Sequence, residues 1–509
     1  MNTSEQQQFE QGFWQQHDRF LRNGLLTEQS HPDTGHLAEW AKADLPQAIA
    51  TLKSVDQALL VNLAQYQADF RALQRAMYTT RQQGGRVFIC GCGATGRLAV
   101  SLEILWRRAH AAQSDSVRAL IAGGDTALIH SIEKFEDQRE LGLRQLTEAG
   151  FGQQDLLIAA SAGGESPFVL AAAEYAAAHS RQPPWLIYCN PDATLLERSP
   201  DHPLRNPKIR AWSLLVGEMA LTGSTRMQAT SALMLAIGLP LLEQAPLDVP
   251  LQLSRFADVL AACDFSQLSQ FIIREAEIYQ QRDYVLYRCG AENALTVLTD
   301  TTERAPTFNL QAFDNRGEPN SAPSGCYLLL AGAPDSETTW RTLLGRAPQA
   351  LAWPEFPITS LPRLYGFDFS EQVKEWREAR LGKIQVLIDI VHEPGRFIWR
   401  LEHLQAVFND GGLAPLWQQL LLKLLLNTHS TLVMGRLGLY EGNLMTSVTP
   451  SNYKLVDRAI RYTMLRYQQL NAKLLSYDTA AAAVFAELQT LRPGESIVLK
   501  ALRRLSASF

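Results

Sequence analysis

The chain has 509 residues, 46% of them hydrophobic and 19% charged, with a formal net charge of −5. That length supports more than one core, and the acidic balance without a long basic run excludes a face built for nucleic-acid phosphates. The longest apolar stretch, Ala232–Leu242, is broken by Gly238 and Pro240, and the first ten residues have neither a basic start nor an apolar segment, so a cytoplasmic protein with no membrane partner is expected. The six cysteines are scattered through apolar runs without a C-x-x-C pair, and no His/Asp cluster has ligand spacing; buried reduced thiols and no metal are expected.

From about residue 40 to 80 the pattern is helical, with Leu52, Val55, Leu59, Leu60 and Leu63 recurring at three- and four-residue intervals. Short apolar runs at 87–90, 117–122, 155–160 and 185–189 then alternate with helical segments such as Arg97–His110 and Pro167–His179. This predicts an α/β fold, an open parallel sheet covered by helices on both faces. Its first strand runs into Gly91-Cys-Gly-Ala-Thr-Gly96. Gly91, Gly93 and Gly96 let the backbone turn and approach a ligand closely, Thr95 adds a hydroxyl, and the following helix aims free N–H groups at negative charge, so the loop reads as a phosphate cradle. The spacing also fits a dinucleotide fingerprint, which requires an acidic residue closing the next strand about 20 residues on. Asp115 precedes that strand instead, against a nicotinamide or flavin cofactor. A strand-to-helix turn that binds nothing is the plain alternative.

Two further segments suit an anion. Ser161-Ala-Gly-Gly-Glu-Ser-Pro167 leaves the third strand with Ser161, Gly163 and Ser166 as donors, although Glu165 would repel a phosphate if it faced inward. Leu221–Gln228 brings Ser224, Thr225 and Arg226 to the start of a long helix. After a helical bridge around 250–280, a second α/β pattern has apolar runs at 284–289, 326–331 and 385–391. Its first turn, Gly290-Ala-Glu-Asn-Ala294, is poor in glycine and carries Glu292, so no phosphate loop is expected there. Helices at 416–438 and 454–475 close the chain. The expected division is an N-terminal arm (1–45), a phosphate-binding unit (46–250), a diverged copy without a phosphate loop (251–435) and a C-terminal helical segment (436–509).

Gly91–Leu98, together with Leu26–Gln29, Leu120–Gly124, Phe135–Asp137, Cys189–Pro191, Thr222–Met227, Gly442–Met445 and Ser451–Ala459, resembles the sugar isomerase (SIS) domain. The resemblance is closest to the group joining N-acetylmuramic acid 6-phosphate etherase to glucokinase regulatory protein. It implies two tandem SIS domains, flavodoxin-like α/β/α sandwiches with helical ends, holding one phosphorylated sugar or amino sugar and no cofactor. In the etherase, one glutamate removes the C2 proton and a second protonates the departing ether oxygen, which demands an acid and a base of separated pKa. Glu136 falls on the family's base. The family's second glutamate stands eight residues after the loop arginine, where this chain has Leu105. Asp300-Thr-Thr-Glu-Arg-Ala-Pro-Thr-Phe308 carries the matching pattern in the second unit, so Glu303 is expected to complete one composite site. Lys454 matches a sugar-phosphate-contacting lysine of the regulatory protein. Met219 and Gln228 replace a glutamate and a lysine usual around Gly223–Arg226. The resemblance therefore implies a carbon–oxygen lyase; a non-catalytic regulator that answers to a hexose phosphate and acts on a sugar kinase is the alternative, aldose–ketose isomerisation is a third reading, and a homo-oligomer stays open.

Overall fold

The computed structural model describes residues 3–17, 24–130, 132–448, 450, 453–492 and 495–507. Two five-stranded sheets organise it. The first contains β1 (Val87–Gly91), β2 (Val117–Ile121), β3 (Leu156–Ala160), β4 (Trp185–Tyr188) and β5 (Arg210–Ser213) in the order β2-β1-β3-β4-β5. All its pairings are parallel. The central strands β1, β3 and β4 are buried along their whole length, as parallel strands covered on both faces by helices must be, which explains their unbroken apolar sequences. The strand order reverses at β1, between β2 and β3, and a doubly wound sheet leaves a crevice there beyond the carboxyl ends of its strands. The first and second loops leave those ends.

The second sheet has the order β10-β9-β8-β6-β7. Strands β6 (Val285–Cys289), β7 (Cys326–Leu330) and β8 (Val386–Glu393) pair in parallel. Strands β9 (Arg396–Leu401) and β10 (Leu404–Asn409) then add an antiparallel meander at the edge. The expected open parallel sheet is therefore retained only in its core. Antiparallel neighbours need just a two-residue turn, and Pro394-Gly395 supplies one, with Gly395 at φ +86°. Glu402-His403 supplies the next, with Glu402 at φ +52°.

Between the sheets lie helices that are buried around most of their circumference. Gln228–Leu242 exposes none of its residues from Gln228 to Leu241, and Pro415–Arg436 is buried along most of its length. Charged contacts also join the two units. Arg226 reaches Asp300, which in turn meets Arg304 and through it Glu275. The N- and C-terminal segments close over the first unit, where the Asn443 side chain bonds Ser30, Thr34 and the His31 carbonyl. All six cysteines are buried and free, and among the described residues no helix is long and apolar enough to cross a membrane.

Candidate functional site

Three loops of the first unit and one helix of the second surround a cleft of about 300 Å³ at the carboxyl end of the first sheet. The first loop is rigid. Thr95 Oγ1 accepts from the Cys92 amide at 3.1 Å and donates to the Cys92 carbonyl at 2.8 Å, closing the first turn of helix Gly93–Ala109. The predicted Thr95 hydroxyl is thus spent on the loop itself, while Gly93, Ala94 and Thr95 line the cleft at the helix N-terminus. Gly91 and Gly96 serve packing, not ligand approach: a Cβ on Gly91 would lie 2.6 Å from the Thr95 carbonyl carbon, and one on Gly96 would lie 2.5 Å from Ile121 Cγ1.

In the second loop, Ser161 Oγ accepts from the Gly164 amide at 3.1 Å and donates to Ser166 Oγ at 3.2 Å. Ser166 Oγ then donates to Glu136 Oε1 at 3.0 Å, so one hydroxyl relay joins the loop to the predicted base. Gly163 lines the cleft, and its carbonyl accepts from Asn190 Nδ2 at 3.0 Å. Glu165 also lines the cleft, with its carboxylate paired to Arg198 Nε at 2.6 Å. Beneath the loop His202 Nε2 bonds the Gly164 carbonyl at 2.8 Å, and burial pushes the His202 pKa below its ordinary value against the opposing pull of that carbonyl.

Ser224 and Thr225 line the cleft from the third segment, and the buried Ser224 hydroxyl has no partner among the described residues. Arg226 lines the cleft as well, and its guanidinium is engaged by the second unit. Its Nη1 donates to Asp300 Oδ1 and Ser430 Oγ, both at 3.1 Å, and its Nη2 to Thr431 Oγ1 at 2.6 Å. A buried guanidinium needs a compensating charge, and Asp300 of the second unit supplies it.

Glu303 lies on helix Ala294–Phe308 and lines the same cleft as Glu136, together with Pro306 and Thr307. Its carboxylate is ion-paired with Arg97, the arginine that follows the first loop. Lys454 begins the helix Tyr453–Asn471, but its side chain lies outside the described residues.

Residues 70–177 match the family described as glucokinase regulatory protein N-terminal SIS domain. Over those residues the chain is similar to that domain. It is also similar to N-acetylmuramic acid 6-phosphate etherase 1 of Vibrio cholerae, at 29% identity over 215 residues, which is 42% of this chain and 67% of the relative. The etherase of Aliivibrio fischeri is 33% identical over 158 residues, 31% of this chain and 49% of the relative. The chain therefore spans about half to two thirds of the length of these curated relatives. Among solved structures, the C-terminal domain of glucosamine-fructose-6-phosphate aminotransferase from Francisella tularensis aligns at 12% identity and a TM-score of 0.34, covering 75% of this chain and 96% of that one.

Around the cleft stand further residues that the motifs did not single out as site residues. Glu28 and Arg458, from opposite ends of the chain, line it as a two-pronged ion pair at 2.8 and 3.1 Å. Burial works against the Arg458 charge, yet Glu28 holds the guanidinium above its ordinary pKa. Thr27 and Asp137 also line the cleft. The signal for them was present, since all four sit inside Leu26–Gln29, Phe135–Asp137 and Ser451–Ala459. At the corresponding turn of the second unit, Arg108 donates to the carbonyls of Ala291 and Glu292 at 2.8 and 3.1 Å, so a side chain of the first unit occupies that loop.

Proposed function

We propose that this protein binds the phosphate of a phosphorylated amino sugar and cleaves the lactyl ether of N-acetylmuramic acid 6-phosphate, as a carbon–oxygen lyase. The observation carrying the reading is that Glu136 of the first unit and Glu303 of the second line one cleft with the three hydroxyl- and amide-bearing loops. The phosphate sits among the amides of Gly93 and Ala94 and the hydroxyls of Ser161, Ser166 and Ser224, neutral donors that need not be stripped of a counter-charge first. Glu136 takes the proton from C2, acidified by the open-chain aldehyde beside it. Glu303 delivers a proton to the ether oxygen as the C3–O bond breaks, which spares the departure of a bare alkoxide. Lactate leaves with the bond's electron pair, and water adding at C3, with a proton returned to C2, completes the conversion to N-acetylglucosamine 6-phosphate.

The Arg97–Glu303 ion pair favours a second reading. A carboxylate engaged as an ion holds no proton for a leaving group, and a cleft that binds without turnover suits a sugar-phosphate-responsive regulator of a protein partner such as a sugar kinase. Purified protein incubated with N-acetylmuramic acid 6-phosphate separates the two. Lactate release that is lost in both Glu136→Gln and Glu303→Gln supports the lyase; saturable binding of the sugar phosphate with no lactate released supports the regulator.

A further inference from the structure

Glu136 ends a helix of a single turn, Glu133–Glu136. One turn fixes several dihedral angles for very few hydrogen bonds and does not hold itself, so the carboxylate's position has to be imposed from outside. The Ser166 hydroxyl gives one contact at 3.0 Å. The other anchor is the neighbouring side chain, Phe135, which is fully buried. Its ring stacks on Trp353 with centroids 5.7 Å apart and planes 8° from parallel, and it meets Phe356 edge-on at 4.7 Å. Both partners belong to the second unit.

They sit on a strap, residues 345–360, that leaves the second sheet's layer and crosses the first unit. Its root is clamped. Arg346 bonds the carboxylates of Glu103 and Asp125, while the Asp125 amide donates to the Gln349 carbonyl at 3.0 Å. Gly124 makes this approach feasible, because a Cβ there would lie 2.6 Å from the Gln349 carbonyl oxygen and its φ is +73°. The second glycine of the pair after β2, which the cleft does not use, is thereby accounted for. Farther along, Trp353 is held in place as firmly as it holds Phe135. Its Nε1 donates to Glu148 at 2.7 Å, and the Arg144 guanidinium lies 4.0 Å above its ring.

We infer that the strap of the second unit positions Glu136 through the Trp353–Phe135 stack, so that the second unit both supplies Glu303 and fixes the base opposite it; the inference rests on the lyase reading above. Trp353 is a positioning residue, since it lines no part of the cleft. Misplacing a reacting group by about 1 Å costs on the order of 100-fold in rate. In the full-length protein, Trp353→Ala is expected to lower kcat for lactate release by about 10- to 100-fold, with KM and the Kd for N-acetylglucosamine 6-phosphate changed less than about threefold. Trp353→Phe keeps a stacking ring, loses the bond to Glu148, and is expected to recover kcat to within about threefold. Equal losses in kcat and Kd, an undiminished kcat in Trp353→Ala, or no recovery in Trp353→Phe would overturn the assignment.

A second readout does not depend on turnover. The Phe135 and Gln138 amides donate to Ile132 and Phe135 carbonyls at 2.9 and 3.3 Å, and their hydrogen exchange should quicken in Trp353→Ala and return in Trp353→Phe. If the wild type releases no lactate, the lyase reading falls while exchange still judges the strap: unchanged exchange refutes it, faster exchange supports it. Should Trp353→Ala not fold, Phe356→Leu carries the same two measurements with the same expected signs.

Discussion

Replacing Arg97 by methionine removes the cation ion-paired with Glu303 and tests whether the second unit's carboxylate is held at the cleft by the first unit. The Arg97 side chain is 1% exposed and that of Glu303 10%. Burial lowers the Arg97 pKa and Glu303 opposes the shift, so the pair offsets part of the cost of holding the guanidinium in a dry place. Arg97 Nε also donates to the Leu128 carbonyl at 2.9 Å, a bond lost in the same substitution. Breaking a buried pair by removing one member costs about 3–5 kcal/mol; because Glu303 opens onto the cleft and can regain some solvation, the lower end, about 3 kcal/mol, is expected. Glu303→Gln strands the guanidinium and should cost a similar amount. The double variant strands neither charge, so urea unfolding of the four proteins should give a coupling of about 2 kcal/mol or more. Single-variant costs below about 0.5 kcal/mol with additive behaviour would mean that the pair is solvated, and the reasoning would fail.

Three other outcomes follow from the same geometry. The folded-state pKa of His202 is depressed by burial below 6.5, so the unfolded chain binds the extra proton more readily, and stability present above pH 6.5 is lost as pH falls below it. Urea midpoints at pH 7.5 and 5.5 should diverge in the wild type and converge in His202→Gln, whereas an unchanged slope would remove His202 as the cause. Gly91→Ala puts a methyl into the backbone of Thr95 and Gly96; sugar-phosphate affinity measured by calorimetry should fall at least about tenfold as the first loop is forced out of shape. Arg346→Met leaves Asp125 and Glu103 facing each other, both fully buried, and although Arg107 still pairs Glu103, a stability loss of about 3–5 kcal/mol in urea is expected. Burial opposes the Arg346 charge, yet the two carboxylates hold its pKa above the ordinary range, which is why it is the member whose removal should be felt.

The first sheet was readable because its strands are short unbroken apolar runs ended by glycine-rich turns, a pattern that parallel burial on both faces produces directly. The edge meander of the second sheet was not, because Arg396–Leu401 and Leu404–Asn409 interleave charged or polar residues with apolar ones as a half-exposed strand does, and of its three strands only β8 has the apolar run that invites notice. The hydroxyls of Ser161, Ser166 and Ser224 could be named from their loops, since small donors beside glycine have few other uses at a strand end. What each polar group contacts was a different matter. Arg226, Thr95 and Glu165 are engaged by Asp300, Cys92 and Arg198 respectively, pairings made by residues distant in sequence or by local cap geometry. The Glu28–Arg458 pair joins segments 430 positions apart, and the strap at 345–360 carries no motif at all, because stacking on Phe135 asks only for flat rings.

The claim on which the rest depends is that one sugar phosphate is held between the two units. A crystal structure with N-acetylglucosamine 6-phosphate bound tests it most directly. The phosphate is expected against the amides of Gly93 and Ala94 and the hydroxyls of Ser161, Ser166 and Ser224, with C2 facing Glu136 and C3 facing Glu303. A phosphate bound at any other place, or a sugar ring whose C3 lies out of hydrogen-bonding reach of Glu303, would contradict it.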